Sequence, residues 1–267
     1  MSRMPAVAGR FYPGQRQELQ RVVEAYSRSP GGKCSAIGVV VPHAGFIYSG
    51  AIAGATFGRV QIPQRVVILG PNHHGLGHPV AVYAKGSWQT PLGSVAVDET
   101  LAQAILGGCP DLAADETAHK FEHSLEVQLP FIQVLAPQAG IVPICLGRIG
   151  LTETLRLGND LGRVLAQYPG ETLIVASSDM THYEPGPVAR KKDLRALQQI
   201  QDLDPSGLYQ TVYSESISMC GVIPVVVMLS AALRLGAQSV ELIHYGNSGD
   251  VTGDQAEVVG YAGVVVA

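Results

Sequence analysis

Three short apolar runs, each broken off by a turn that carries a metal-competent side chain, constrain this chain most. The first is Val39-Val40-Val41-Pro42-His43-Ala44-Gly45 and the second Val66-Val67-Ile68-Leu69-Gly70-Pro71-Asn72-His73-His74-Gly75. The third is Leu173-Ile174-Val175-Ala176-Ser177-Ser178-Asp179-Met180-Thr181-His182. Continuous apolar runs of this length, bounded by Gly, Pro and polar residues, read as strands buried on both faces, as in a parallel sheet covered by helices. Ligands of open parallel sheets bind in the crevice beyond the carboxyl ends of the strands. Three strands therefore deliver His43, His73, His74, Asp179 and His182 to one rim.

The segments between these runs supply the helices. Apolar spacing predicts helices from about Gln15 to Ser27, Ser49 to Arg59, Asp98 to Leu106, Ser124 to Leu135 with a kink at Pro130, and Thr152 to Leu165. A polar helical region from Pro185 to Glu215 is expected to cover the rim. Met219-Cys220-Gly221 then opens an apolar helix reaching about Leu235. Further strands are expected at Ile141–Leu146, Val240–Tyr245 and Val258–Val266, with a hairpin or short antiparallel strands between Val80 and Val97. Ser29-Pro30-Gly31-Gly32 reads as a loop. Strands alternating with helices and no linker-like stretch give a single α/β domain over residues 1–267, with a mostly parallel central sheet flanked by helices in three layers.

Composition narrows the function. Hydrophobic residues make up 46% of the chain, enough for a sizeable core, and a net charge of −4 without a basic run leaves no footprint for nucleic acid. The longest apolar stretch, Val222 to Leu233, contains Pro224 and Ser230 and is too short to span a bilayer. No apolar secretory core follows the first residues. Cys34, Cys109, Cys145 and Cys220 are scattered without a CxxC pair, which argues against a disulfide framework or a zinc ribbon. A soluble cytoplasmic protein is expected. Phosphate-loop, GxGxxG and GxSxG patterns are absent from the sequence.

The remaining chemistry lies in histidines, one aspartate and one cysteine. Two adjacent imidazoles after a buried strand, His73 and His74, point to use as ligands together with His43, and neutral imidazole suits iron, zinc and copper alike. In Ser177-Ser178-Asp179-Met180-Thr181-His182 the spacing lets the aspartate orient a histidine or join its hydrogen-bond network; the plain alternative is a helix cap. Cys220 precedes a helix start, where the dipole favours thiolate and would complete a site of two histidines and one cysteine. His119-Lys120-Phe121-Glu122-His123 matches the HxxEH pattern of inverted zinc peptidases, a rival reading in which Glu122 is the base.

Together these stretches resemble the Memo family, itself similar to the catalytic subunit of class III extradiol ring-cleavage dioxygenases. The resemblance runs through Ala8-Gly9-Arg10-Phe11-Tyr12-Pro13, Pro42-His43-Ala44-Gly45-Phe46-Ile47-Tyr48-Ser49-Gly50, Leu69-Gly70-Pro71-Asn72-His73-His74, Glu122-His123-Ser124-Leu125-Glu126-Val127-Gln128-Leu129-Pro130, Ser177-Ser178-Asp179-Met180-Thr181-His182-Tyr183 and Cys220-Gly221. It implies a dioxygenase-like fold and a metal held by His43, His73 and Cys220. Fe(II) comes first, with zinc or copper as alternatives. His182 stands where those enzymes place an acid/base histidine, and Asp179, His74 and His123 would line the same pocket. Cys220 replaces the carboxylate ligand of the dioxygenases. The implied activity is oxidation of a phenol- or catechol-like small molecule with dioxygen, and the family is associated with a radical SAM protein. Rival readings are a metal- or peptide-binding module without turnover and a zinc-dependent hydrolase.

Overall fold

The structure, a computed structural model, describes residues 2–28 and 31–267, so Ser29 and Pro30 of the expected loop lie outside the described residues. Its centre is built from the three apolar runs and a fourth. They form β1 (Gly38–Val41), β2 (Arg65–Pro71), β4 (Gly140–Leu146) and β5 (Leu173–Ser177), with a short β3 (Val80–Val82) between β2 and β4 in sequence. Strands β1, β5, β2 and β4 lie side by side in that order and are parallel. Their side chains are almost wholly buried, which is why the runs are continuous rather than alternating.

On both sides of this centre the next strand runs antiparallel. On one side β8 (Val258–Val266) pairs with β1 and also carries β7 (Val240–Asn247) and β6 (His182–Glu184). On the other side β3 runs against β4 and pairs in parallel with a two-residue edge strand, Ala113–Ala114. The described residues thus form a nine-stranded mixed sheet whose middle is parallel. The hairpin expected after Val80 is present as Ser87–Thr90 and Gly93–Ala96, in a separate small sheet with Ser2–Arg3.

Helices cover both faces. Those used below are α1 (Arg16–Tyr26), α2 (Ala51–Arg59), α3 (Glu99–Gly108), α4 (Leu129–Leu135), α5 (Leu151–Gln167), α6 (Gly186–Gln201), α7 (Pro205–Ser214) and α8 (Val222–Arg234). Apolar α8 packs on β1, β2 and β5 with α5 outside it, and α2 covers β1, β7 and β8 with α1 alongside. Asp98 caps α3 by accepting from the Leu101 amide. One buried apolar cluster runs through both layers, so the chain is a single α/β domain.

The expected helix Ser124–Leu135 is instead two pieces, His123–Glu126 and α4. Pro130 lies in the first turn of α4, where its missing N–H costs nothing, so it starts a helix rather than kinking one. The segment is also not amphipathic in the ordinary sense. Glu122, Ser124, Glu126 and Gln128 are as buried as Leu125 and Leu129. Gly70 at the end of β2 makes room for this turn, because a Cβ there would stand 2.5 Å from Ser124 Oγ and 2.8 Å from Leu125 Cδ2.

Candidate metal centre

Beyond the carboxyl ends of β1 and β2, His43 and His73 face each other, joined by His123 from the buried turn. One ring nitrogen from each of the three lies within 4.8 Å of the others. Their ring centroids are 4.7–5.4 Å apart, with His73 stacked on His123 and His43 edge-on to both.

The hydrogen bonds fix which nitrogens are free. Ser177 Oγ donates its one proton to the Ser124 carbonyl at 2.7 Å and accepts from Gln128 Nε2 at 2.9 Å. His43 Nδ1, 2.9 Å from the same oxygen, must therefore donate to it, which leaves the lone pair on Nε2. His73 Nδ1 donates to Glu122 Oε1 at 2.9 Å, and that carboxylate also accepts from the His73 and Ser124 amides. His73 thus presents Nε2 as well. A carboxylate behind a ligand imidazole fixes its tautomer and raises its basicity.

Electrostatics favour the neutral form of two of the rings, His43 and His123. Burial, then the neighbouring His73 and His182, push His43 down to about 3. Burial, then His43, push His123 down to about 4. For Glu122 burial acts against the charge, but the His73 hydrogen bond and charge prevail and hold the carboxyl well below the usual range.

Asp179 caps no helix. Its Oδ1 accepts from the His43 amide at 2.7 Å and the Ala44 amide at 3.3 Å, so it holds the turn that aims His43. Burial pushes its carboxyl up, and the His43 amide opposes that. Cys220 Sγ lies 3.2 Å from His43 Nε2 and 3.3 Å from the Asp179 amide. The surroundings of Cys220 oppose the thiolate expected from the start of α8. Burial, then the Asp179 charge, push this thiol up, and both outweigh a helix end one residue away. A coordinated cation reverses that balance, since a ligating thiol is deprotonated outright. Gly221 keeps Cys220 close, because a Cβ there would run into the Ser177 carbonyl oxygen.

His182 sits on β6 with Nδ1 2.8 Å from the Met180 carbonyl and 3.0 Å from the Ser218 carbonyl. Two acceptors make Nδ1 the protonated nitrogen, so Nε2 is free to take a proton. His74 is exposed, its Nε2 3.0 Å from the Phe121 carbonyl. It lines the cleft with His73 and Cys220 but does not join the triad. That cleft measures about 930 Å³ and is walled by the β2–β3 loop, the loop after β4, and the stretch from α7 to the start of α8. The polar helices α6 and α7 fall where a cover was expected, and the end of α7 supplies Val212 and Tyr213 to the wall.

The inverted-peptidase pattern does not assemble. His119 Nδ1 donates to the Asp115 carbonyl at 2.8 Å, and its ring packs against Tyr83 and Trp88, separate from the triad. Glu122 spends its oxygens on His73 and Ser124. The helical turn begins only at His123, so His119 and His123 do not share a helix face.

Ser177, Ser124, Gln128 and the bonding of Glu122 went unread in the sequence. The available signal was the polar alternation Glu122, Ser124, Glu126, Gln128 inside an apolar stretch, which resembles a solvent face until the fold buries it.

The profile of Memo-like proteins matches residues 3–265. The chain belongs to the Memo family. It is 42% identical to a MEMO1 family protein of Methanopyrus kandleri, covering 99% of both chains, and 43% identical to one of Aquifex aeolicus, covering 98% of both. A crystal structure of an uncharacterized protein from Escherichia coli K12 shares the fold at a TM-score of 0.61 and 14% identity, over 85% of this chain and 98% of that one. Membership is carried by the whole chain, and the triad described above is what this Memo protein builds at its rim. None of its described helices is long and apolar enough to cross a membrane.

Proposed function

We propose that this Memo protein is a mononuclear non-haem metal protein, loaded first with Fe(II), that oxidises a phenol- or catechol-like molecule with dioxygen. The observation that carries the reading is the convergence of three imidazoles, two of which are oriented with Nε2 inward by the bonds of their Nδ1 atoms to Ser177 and Glu122. The donor set fits a borderline divalent metal. His43 and His73 would hold it through Nε2. Cys220 is the third ligand in this reading, because its thiolate supplies the negative charge that a buried cation needs and that His123 lacks. Bound Fe(II) would supply Lewis acidity toward the substrate oxygen and redox chemistry with dioxygen.

The protein's own groups do the rest. Asp179 anchors the His43 turn, Glu122 orients His73, and His123 bounds the pocket opposite Cys220. His182 accepts the substrate hydroxyl proton at Nε2, because its Nδ1–H is committed to two carbonyls. The cleft beside His73 admits a single aromatic ring with substituents.

Loading with Co(II) tests the ligand set. A sulfur-to-metal absorption band in the wild type that is lost in Cys220→Ser and kept in His123→Asn supports Cys220. The reverse pattern assigns the position to His123. Oxygen consumption with phenols in the Fe(II) protein, abolished by His182→Gln at unchanged metal content, supports turnover. The rival, a metal-binding module without turnover, is favoured by the missing carboxylate ligand, and a loaded protein that consumes no oxygen with any phenol would establish it.

A further inference from the structure

The strand leading to His73 has a parallel neighbour, β4, whose following loop walls the same cleft. In β2 and β4, Pro71 pairs with Leu146, and the Asn72 amide donates to the Leu146 carbonyl at 2.9 Å. His73 and Arg148 therefore each lie two residues beyond a paired position on adjacent strands, which run about 4.8 Å apart. Both side chains line the same cleft.

The charge pattern of that cleft is one-sided. The chain has 22 acidic residues against 18 Lys and Arg, yet no Asp or Glu contributes to the cleft wall. Arg3, Arg65 and Arg156 are each paired with a carboxylate. Arg148 is exposed and has no hydrogen bond or ion pair among the described residues. The Tyr213 phenol shares the cleft with it; burial and Tyr209 push that phenol up and the Arg148 charge pulls it back. Ser216 and Ser218 complete a polar side of the same wall. A low-dielectric cleft of one sign concentrates counter-charge, and a guanidinium is built to take planar oxyanions through two parallel hydrogen bonds.

We propose that Arg148 makes this cleft a receptor for a small aromatic ligand carrying an oxyanion, a carboxylate or a phosphate, held by the guanidinium while its other end faces His73 and Cys220. The placement of that other end rests on the metal reading above; the anion anchor does not. Arg148 is then a specificity-determining residue. It selects anionic over neutral phenols and orients the ring with its hydroxyl toward the triad.

Calorimetric titration of the anaerobic, metal-loaded protein tests this with three probes: catechol, protocatechuate and phenyl phosphate. Wild type, Arg148→Gln and Arg148→Lys are compared; the exposed side chain makes no described contact that the fold needs. The expected result is that wild type prefers protocatechuate to catechol. Arg148→Gln should lose about tenfold to a hundredfold in affinity for protocatechuate and phenyl phosphate, with catechol unchanged. Arg148→Lys should recover part of the loss, keeping the charge without the fork.

The tighter of the two anionic probes identifies the oxyanion as carboxylate or phosphate. Equal loss for catechol and protocatechuate, no loss in Arg148→Gln, or no anionic preference in wild type would overturn the anchor. Arg148-dependent binding of phenyl phosphate in a protein that takes neither metal nor catechol would leave the anchor standing and remove the metal reading. Catechol binding without an anionic preference would do the opposite.

Discussion

Glu122→Gln exchanges one oxygen for an NH2 group at nearly constant volume in a fully buried position. Three donors converge on the native carboxylate: the His73 amide at 2.8 Å on Oε2, and His73 Nδ1 at 2.9 Å with the Ser124 amide at 3.0 Å on Oε1. A glutamine has one acceptor oxygen, so at least one donor must face its NH2. The milder orientation keeps the oxygen on His73 Nδ1 and Ser124 and orphans the His73 amide. Leaving a buried donor unpaired costs about 1–3 kcal/mol of stability. The ring also loses the negative charge behind it, and removing such a partner lowers metal affinity by about tenfold to a hundredfold. Chelator competition with Zn(II) measures the second quantity and urea unfolding of the metal-free protein the first. A folded variant with wild-type affinity and stability would refute the assignment of Glu122 as the group that orients His73.

Four other outcomes are expected. Glu126→Ala removes a buried carboxylate that accepts from Arg3, the Ala6 and Val7 amides and Tyr12, and leaves the Arg3 guanidinium uncompensated; a loss of about 3–5 kcal/mol is expected in urea melts. Burial lowers His119 from 6.5 to about 4, so the unfolded chain binds its proton first, and stability is fully present above about pH 6.5 and lost as pH falls through about 4. His119→Gln should flatten part of that acid dependence relative to wild type, a comparison needed because the raised carboxyls of Asp179 and Asp193 act in the opposite sense. Gly221→Ala should displace Cys220 and cost about 1–3 kcal/mol through overpacking against Ser177 and Ser178, read as lower Tm together with weaker metal binding. His182→Gln should lower any turnover by about a hundredfold or more while metal content stays at the wild-type level.

The parallel centre was legible because β1, β2, β4 and β5 are buried on both faces and so carry unbroken apolar runs. The placement of His43, His73, Asp179 and His182 followed from the rule that loops at the carboxyl ends share one rim. The antiparallel margins were harder to read, since pairing direction leaves no mark in β7 or β8 taken singly. Ser124 and Gln128 fall on the polar side of the helix expected from Ser124 to Leu135, and Glu122 just before it, because periodicity records polarity and not what covers it. The HxxEH pattern failed for a related reason: four residues' spacing means a shared face only inside a helix, and the chain turns between His119 and His123. Cys220 shows the limit of a dipole argument, where burial and a neighbouring carboxylate outweigh proximity to a helix end.

Cys220 and His43, in contact at 3.2 Å, are separated by 177 positions along the chain. His73 and His123 arrive from other elements, so no short fragment can gather even this handful of donors. A ligand with affinity for the native arrangement alone therefore shifts the folding equilibrium itself, by about 2.7 kcal/mol at a hundredfold excess over its dissociation constant. In a cell, such a protein would report metal supply through its own abundance: starved chains would spend more time open to proteases, and loaded ones would persist.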